Sequence, residues 1–290
     1  LKWQSRDTNA QWLSNEDVRK IEPRLTPMIR GAAWTPEAAQ IDSYRFTLAL
    51  SQAAEKHGAT IQLREATGIQ HRNGKVTGVI YPGGSVSCNT VVLALGASGQ
   101  ICQKWLGIPV PIRPTRSERL MLQFSGAPLP ALLVSPKRGH LISRTDGYWS
   151  VGSTGGRDYA EQGESFLDQE IPQHPSEQAK VFLLERALTL LPDLESAQVA
   201  QQIAGWYPTS ADREPLIGPV SGWEGLYLAM GHTFKGIHLA PITGSIIRDF
   251  IMYGNSRADI ALGHVLPKRF AGQWQPDYKS GIDYVQGEVG

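Results

Sequence analysis

The hydrophobic pattern alternates between short apolar runs and segments with helical spacing, as expected for a mixed α/β protein. Two runs, residues 90–95 and 226–230, contain almost only apolar residues. Such runs are typical of strands that are covered on both faces. Each run ends in glycine and precedes helical signals, so we predict two strand–glycine–helix junctions of a parallel sheet.

Capping signals predict three further helices. Ser14 begins one that stops near Pro23, Ser43 begins one that Gly58 ends, and Ser176 begins one that Pro192 ends. The apolar positions expected to face the core are Phe46, Leu50, Ala53 and Ala54 in the second of these helices, and Val181, Leu184, Ala187 and Leu191 in the third.

Strand signals occupy most of the remaining sequence. We predict a strand at residues 60–63 and a small antiparallel meander around the turn Asn73-Gly74. From about residue 109 the sequence is rich in strand formers and proline, with strands expected near residues 119–124, 139–143, 148–151 and 199–207. This part is expected to form a substrate-facing sheet.

The most informative segment is residues 231–244, where the apolar run 226–230 passes through Gly231 and Gly236 into a helix. Ile246, Ile247 and Phe250 repeat at helical spacing before the stop at Gly254. A helix N-terminus exposes unpaired N–H groups and a partial positive charge. The segment therefore predicts an anion-binding site, although a plain strand–loop–helix crossover uses the same residue types.

Composition points to a partner that is a small molecule. The 290 residues carry 28 Lys and Arg against 27 Asp and Glu, with no dense block of either sign, so nucleic acid is not an expected partner. No apolar run approaches the length of a membrane span. Two cysteines, Cys88 and Cys102, are too few for a disulfide framework, which suits a cytoplasmic location, and the histidines lack metal-ligand spacing.

Short matches in the right order make the chain resemble the FAD-dependent oxidoreductases of the D-amino-acid oxidase superfamily, nearest to the glycine oxidase and sarcosine oxidase branches. The matching stretches are residues 13–25, 41–58, 58–69, 91–96, 205–218 and 231–244. The resemblance implies an incomplete Rossmann-like FAD-binding sheet interleaved with an antiparallel substrate domain. The implied substrate-domain segments are 1–35 and 109–215, the FAD-binding segments are 36–108 and 216–255, and residues 256–290 form a C-terminal tail.

The same resemblance implies FAD as cofactor and oxidation of a C–H bond next to the amine of an amino acid or N-methyl amino acid, by hydride transfer to flavin. The electron acceptor is oxygen or another partner. Implied cofactor-binding residues are Ala66, Ala94, Gly96, Gly231, His232, Thr233, Phe234, Lys235, Gly236 and Ile237. The implied catalytic residues are Tyr207 and His238, and no metal is expected.

Two positions depart from the glycine oxidase pattern. Tyr207 and Phe234 stand where those enzymes carry arginines, and sarcosine oxidases also have tyrosine at the first position. Tyrosine offers one hydroxyl in place of a planar fork, so a bidentate clamp on a carboxylate is lost. Tyr207 donates one hydrogen bond to substrate or packs as an ordinary strand aromatic. Arg119, Arg144 and Lys235 are candidates to supply the missing charge.

A larger departure is the absence of the Gly-x-Gly-x-x-Gly turn that receives the FAD pyrophosphate in the family. The nearest glycine cluster, residues 152–156, has the wrong spacing. We expect an N-terminal FAD-binding segment to exist as further sequence or as a separate chain. The alternative is a truncated relative that does not bind flavin by itself and acts as a non-catalytic subunit.

Overall fold

The chain folds as two units, each assembled from separate stretches of sequence. The computed structural model describes residues 9–108, 110–135, 139–154, 174–257 and 261–271. The first unit contains the described residues within Leu1–Asp42 and Arg116–Gly205. The second contains those within Ser43–Thr115 and Trp206–Ser280. The mixed α/β class predicted from the sequence is confirmed.

Thirteen strands and five α-helices are found in the described residues. In chain order they are β1 (Gln11–Ser14), α1 (Asn15–Ile21), β2 (Gly31–Trp34), α2 (Ser43–Lys56), β3 (Gly68–Arg72), β4 (Lys75–Tyr81), β5 (Gly84–Ser87), β6 (Val91–Leu93), α3 (Cys102–Leu106), β7 (Ile112–Gln123), β8 (Leu133–Ser135), β9 (Gly139–Ser143), β10 (Tyr148–Gly152), α4 (Glu177–Leu190), β11 (Gln198–Ser210), β12 (Leu216–Pro219), β13 (Leu226–Met230) and α5 (Gly236–Tyr253). No described helix is both long enough and apolar enough to cross a bilayer.

A five-stranded sheet in the order β11-β7-β10-β9-β8 dominates the first unit, with antiparallel pairing of β7 with β10, β10 with β9 and β9 with β8. The strands predicted at 119–124, 139–143, 148–151 and 199–207 are all present, although β7 begins earlier and β11 ends later. One face of the sheet packs into a core with α4. Its fully buried residues include Leu120, Leu141, Leu183 and Leu191.

Helix α4 corrects one sequence prediction. Val181 was expected in the core but is 52% exposed. The buried positions are instead Ala179, Leu183, Arg186, Ala187 and Leu190. The face is rotated because the chain buries Arg186 together with the apolar residues, which a pattern of apolar residues alone does not reveal.

The second unit contains two three-stranded sheets. In one, β13 lies between β12, which is antiparallel to it, and β6, which is parallel to it. Strand β13 has the predicted bounds, and α5 ends at Gly254 in the left-handed conformation as predicted. The other sheet, β3-β4-β5, is the predicted meander with Asn73 and Gly74 at positive φ in its first turn.

Two sequence predictions fail in the second unit. Residues 60–63 form no strand, because a strand requires a hydrogen-bonded neighbour and no described strand pairs with them. Helix α2 forms, but none of its residues is buried. Its apolar side chains, the segment after it and β6 leave large apolar groups exposed. We call this set the exposed apolar surface: Tyr44 75%, Leu48 43%, Leu50 49%, Ile61 52%, Leu63 101% and Val92 38%.

A buried ion pair organises one end of the first unit's sheet. The Arg116 guanidinium lies 2.8 Å from the Glu118 carboxylate, and both side chains are almost fully buried. The same carboxylate accepts hydrogen bonds from the backbone N–H and hydroxyl of Ser176, at 3.0 Å each, and from the Gln202 amide at 2.8 Å. Because Ser176 also caps α4, one carboxylate ties β7, β11 and the start of that helix together.

We expect Glu118→Ala to lower the free energy of unfolding by about 3 kcal/mol or more, because it leaves the buried Arg116 charge without its carboxylate. Glu185→Ala, at an exposed position of α4, is the control and is expected to change stability by less than about 0.5 kcal/mol. Urea unfolding followed by tryptophan fluorescence measures both. Equal losses in the two variants would contradict the structural role assigned to Glu118.

Candidate functional site

The parallel pairing of β6 with β13 brings two glycine-containing loops to one edge of the sheet. Leu93 is paired with Leu228, so both strands end at the same side. Ala94 and Gly96 follow β6 there, and Gly231 follows β13. The crevice outside the carboxyl ends of parallel strands is where open α/β sheets bind ligands. A methyl group added at Gly96 would meet no atom within 4 Å, so the backbone is open to a ligand.

The loop after β13 leads directly into the longest helix. Residues Thr233–Lys235 form one 3-10 turn, and α5 begins at Gly236. Lys235 is the N-cap residue, and its side chain makes no capping hydrogen bond. The first N–H groups of an 18-residue helix therefore face outward without a side-chain acceptor, at the positive end of the helix dipole.

Thr233 is the least relaxed residue of this loop. Its φ is +53°, a left-handed conformation that β-branched residues rarely adopt. The residue is 6% exposed, and its hydroxyl oxygen has no hydrogen-bond partner among the described residues. A buried hydroxyl without a partner costs about 1–3 kcal/mol, and strain of this kind concentrates at ligand sites.

His232 is held by the helix that follows it. Its Nε2 atom lies 2.9 Å from the hydroxyl of Thr243, one turn inside α5. An isolated bridge joins His232 to Thr209 at the end of β11. Burial lowers the pKa of the imidazole below the ordinary histidine value, so the ring is neutral at pH 7. It can therefore exchange a hydrogen bond with Thr243 without bringing a charge into the loop.

Tyr207 lies on β11, two residues before Thr209 and on the same face of the strand. The side chain is partly buried, and burial raises the pKa of its hydroxyl, while the positive charges of Arg213 and Arg113 partly oppose that rise. The hydroxyl is therefore protonated at neutral pH. It can donate one hydrogen bond but cannot act as a base.

The remaining predicted residues are arranged less uniformly. Phe234 is 60% exposed, His238 is exposed on the first turn of α5, and Lys235 and Ile237 are partly buried. Ala66 is partly buried in the irregular segment before β3, which belongs to the other sheet of the second unit. Sequence reasoning missed Thr243, because its contact with His232 spans eleven residues and follows no local rule.

The residues at the sheet edge fit a flavin dinucleotide. The open backbone at Gly96, the uncapped start of α5 and the buried hydroxyl of Thr233 supply donors and space for a polar ring edge. A methyl group at Gly236 would touch only the Cβ atom of His232, at 3.9 Å. No group of three His, Cys, Asp or Glu side chains among the described residues is placed to hold a metal ion.

We expect the ring of His232 to titrate below the ordinary value of 6.5, because burial disfavours its charged form. Stability supplied by the neutral ring is then present above pH 6.5 and lost as the pH falls through the lowered folded-state pKa. Proton NMR of the histidine Cε1–H signals, assigned with His232→Gln, measures the midpoint. His140 has a pKa lowered by burial and by the charge of Arg119, so His140→Gln serves as the matched assignment control. A His232 midpoint at or above 6.5 would contradict the buried, neutral ring.

Known proteins share this sequence and fold. The family described as DAO, FAD dependent oxidoreductase, matches residues 2–250. A glycine oxidase of Pseudomonas putida is 32% identical over 257 residues, which cover 87% of this chain and 66% of the relative. The bifunctional protein ThiO/ThiG of Synechocystis sp. is 32% identical over 253 residues, which cover 84% of this chain and 36% of the relative.

The glycine oxidase structure from Bacillus cereus ATCC 14579 superposes with a TM-score of 0.77 at 26% identity, covering 90% of this chain and 71% of that chain. The chain thus spans just under two thirds of the P. putida enzyme and about one third of the bifunctional protein. The matched region contains both loops at the sheet edge and all of the second unit's parallel pairing. The chain therefore belongs to the DAO family of FAD-dependent oxidoreductases.

Proposed function

We propose that the protein uses FAD to oxidise the C–H bond next to the amine of an amino acid or N-methyl amino acid. The observation that carries this proposal is the uncapped start of α5 beside the buried, unpartnered hydroxyl of Thr233. Both features are stabilised when a polar ring edge occupies the loop. The relatives named as glycine oxidases support an amino acid as substrate, and they do not favour the alternative of a non-catalytic subunit.

When bound, FAD supplies the hydride acceptor. The residues of the loop position the ring and stabilise charge: the positive end of α5 favours negative charge that develops at the ring edge in front of it. His232 is neutral and linked to Thr243, so it fixes the loop without opposing a positive substrate amine. Tyr207 is protonated and supplies one hydrogen-bond donor.

We further propose that the second unit binds flavin and the first provides the substrate-facing sheet. The parallel pairing of β6 with β13 supports the first assignment, and the five-stranded antiparallel sheet supports the second. A cytoplasmic location is proposed with them. It is supported by two free thiols, Cys88 and Cys102, of which burial raises the pKa of Cys102 to about 11.

The full-length protein is expected to purify with a flavin absorbance band that bleaches when glycine or sarcosine is added without oxygen. Gly236→Val places a side chain in the open space before α5 without a clash, so flavin is expected to be lost while the fold is kept. Gly244→Val is the matched control, because Gly244 is an exposed position of the same helix that also has no atom within 4 Å of an added methyl. Flavin content is read from absorbance and the fold from circular dichroism.

A flavin-loaded protein that no amine or amino acid bleaches would overturn the proposed reaction. Equal flavin content in Gly236→Val and Gly244→Val would overturn the placement of the ring at the start of α5.

We also propose that the exposed apolar surface, and the edge of β6 that no described strand pairs, bind a further FAD-binding segment that supplies the phosphate site. Six large apolar side chains lie exposed in this set, which is costly unless another element covers them. A strand edge with unpaired N–H and C=O groups favours addition of a strand. That the relatives are longer than the region matched here supports the same proposal.

Leu50→Glu in α2 is expected to leave the second unit folded, because Leu50 is already 49% exposed there, but to abolish flavin binding by the full-length protein. Gln52→Glu, an exposed position of the same helix, adds the same charge and is expected to have no effect. The ratio of flavin to protein and the thermal midpoint are measured for both. Normal flavin content in Leu50→Glu would show that α2 is not covered.

A further inference from the structure

Two basic side chains lie on the outer face of the first unit's sheet, opposite its core. Leu120 and Leu122 of β7 point into the core, so Arg119 between Glu118 and Leu120 points to the other face. Gly152 of β10 is paired with Arg119 on one side and with His140 of β9 on the other. All three positions therefore share one face of three adjacent strands.

Gly152 makes the space that brings these side chains together. A methyl group at that position would lie 2.6 Å from Cε1 and 2.7 Å from Nε2 of His140, and 3.3 Å from Cβ of Arg119. The imidazole thus lies across the glycine, towards the strand that carries Arg119. A larger residue in the middle strand would separate the two basic groups.

No acidic group among the described residues compensates this pair. Neither side chain makes a hydrogen bond or an ion pair in the part of the chain that the structure describes. Burial and then the positive charge of Arg144 lower the pKa of Arg119, and burial and then Arg119 lower the pKa of His140. Arg144 itself is paired with Asp146 at 2.7 Å and lies 3.6 Å from Asp42. Of these three groups, Arg119 and His140 thus have donors to offer a ligand.

We propose that Arg119, assisted by His140, binds the carboxylate of a small organic acid on this face, and that this acid is the amino-acid substrate. The guanidinium fork matches a carboxylate with two parallel hydrogen bonds, and the imidazole adds a third donor. An anion there would relieve the repulsion between neighbouring positive groups. The chain lacks arginine at Tyr207 and at Phe234, so Arg119 supplies a carboxylate anchor of its own. Naming the substrate rests on the proposed function; the carboxylate site does not.

The site is tested with propionate, a carboxylate without an amine, in calorimetric titrations of the full-length protein. Arg119→Met is expected to weaken binding by about 10- to 100-fold, the range for losing a hydrogen bond to a charged group. Arg119→Lys keeps the charge but loses the fork and is expected to bind with intermediate affinity. Arg30→Met, an exposed arginine of the same unit, is the matched control and is expected to bind propionate like the wild type. No binding by the wild type, or equal affinity in Arg119→Met and Arg30→Met, overturns the site.

The identity of the acid is tested by comparing an amino acid with the amine that lacks its carboxylate, such as sarcosine with dimethylamine. Arg119→Met is expected to lower kcat/KM for sarcosine about 10- to 100-fold, mainly through KM, and to leave dimethylamine unchanged. An equal effect on both compounds, or none on either, overturns the assignment to the substrate. If neither compound reduces the flavin, the proposed reaction fails, while the propionate titration still decides whether the carboxylate site exists. Thermal midpoints confirm that each variant is folded.

Discussion

The parallel pairing of β6 with β13 is the constraint on which the candidate site depends. Antiparallel neighbours would place the ends of these strands at opposite edges, whereas parallel neighbours place the loops at Gly96 and Gly231 side by side. The start of α5 then faces the same crevice as the turn that follows β6. Core packing of Leu93, Leu228 and Met230 holds the register, so a shift of one residue would turn buried side chains outward.

Sequence patterns predicted this arrangement well where a local rule applies. Strand β13, the cap at Ser14 and the stop at Gly254 follow from apolar runs, capping residues and glycine, and the structure confirms them. The crevice at Gly96 and Gly231 follows from two strand–glycine–helix junctions. What no pattern revealed is which contacts form across the sequence, such as Thr243 with His232, because these depend on the packed helix and not on neighbours in the chain.

The failures share one physical cause. Residues 60–63 and helix α2 carry the right apolar spacing, yet no described element pairs with the first or buries the second. Spacing indicates which face is meant for burial, but only a neighbouring element makes burial occur. The same distinction explains α4, where the core accepts Arg186 in place of Val181. Roles for Tyr207, His238 and the flavin-loop side chains stay predictions, since they concern ligands and not the fold.

The carboxylate of Glu118 also bears on the order in which the first unit can assemble. Its partners lie 58 residues away at Ser176 and 84 residues away at Gln202. Contacts of such long sequence separation pay a loop-closure entropy before they contribute any energy, which slows folding. The N-terminal cap of α4 shares this carboxylate through Ser176, so the full anchoring of a local helix waits for strands that are distant in the chain. Until β7 and β11 meet, Arg116 and Glu118 remain hydrated, and the step that dehydrates them is expected to come late in folding.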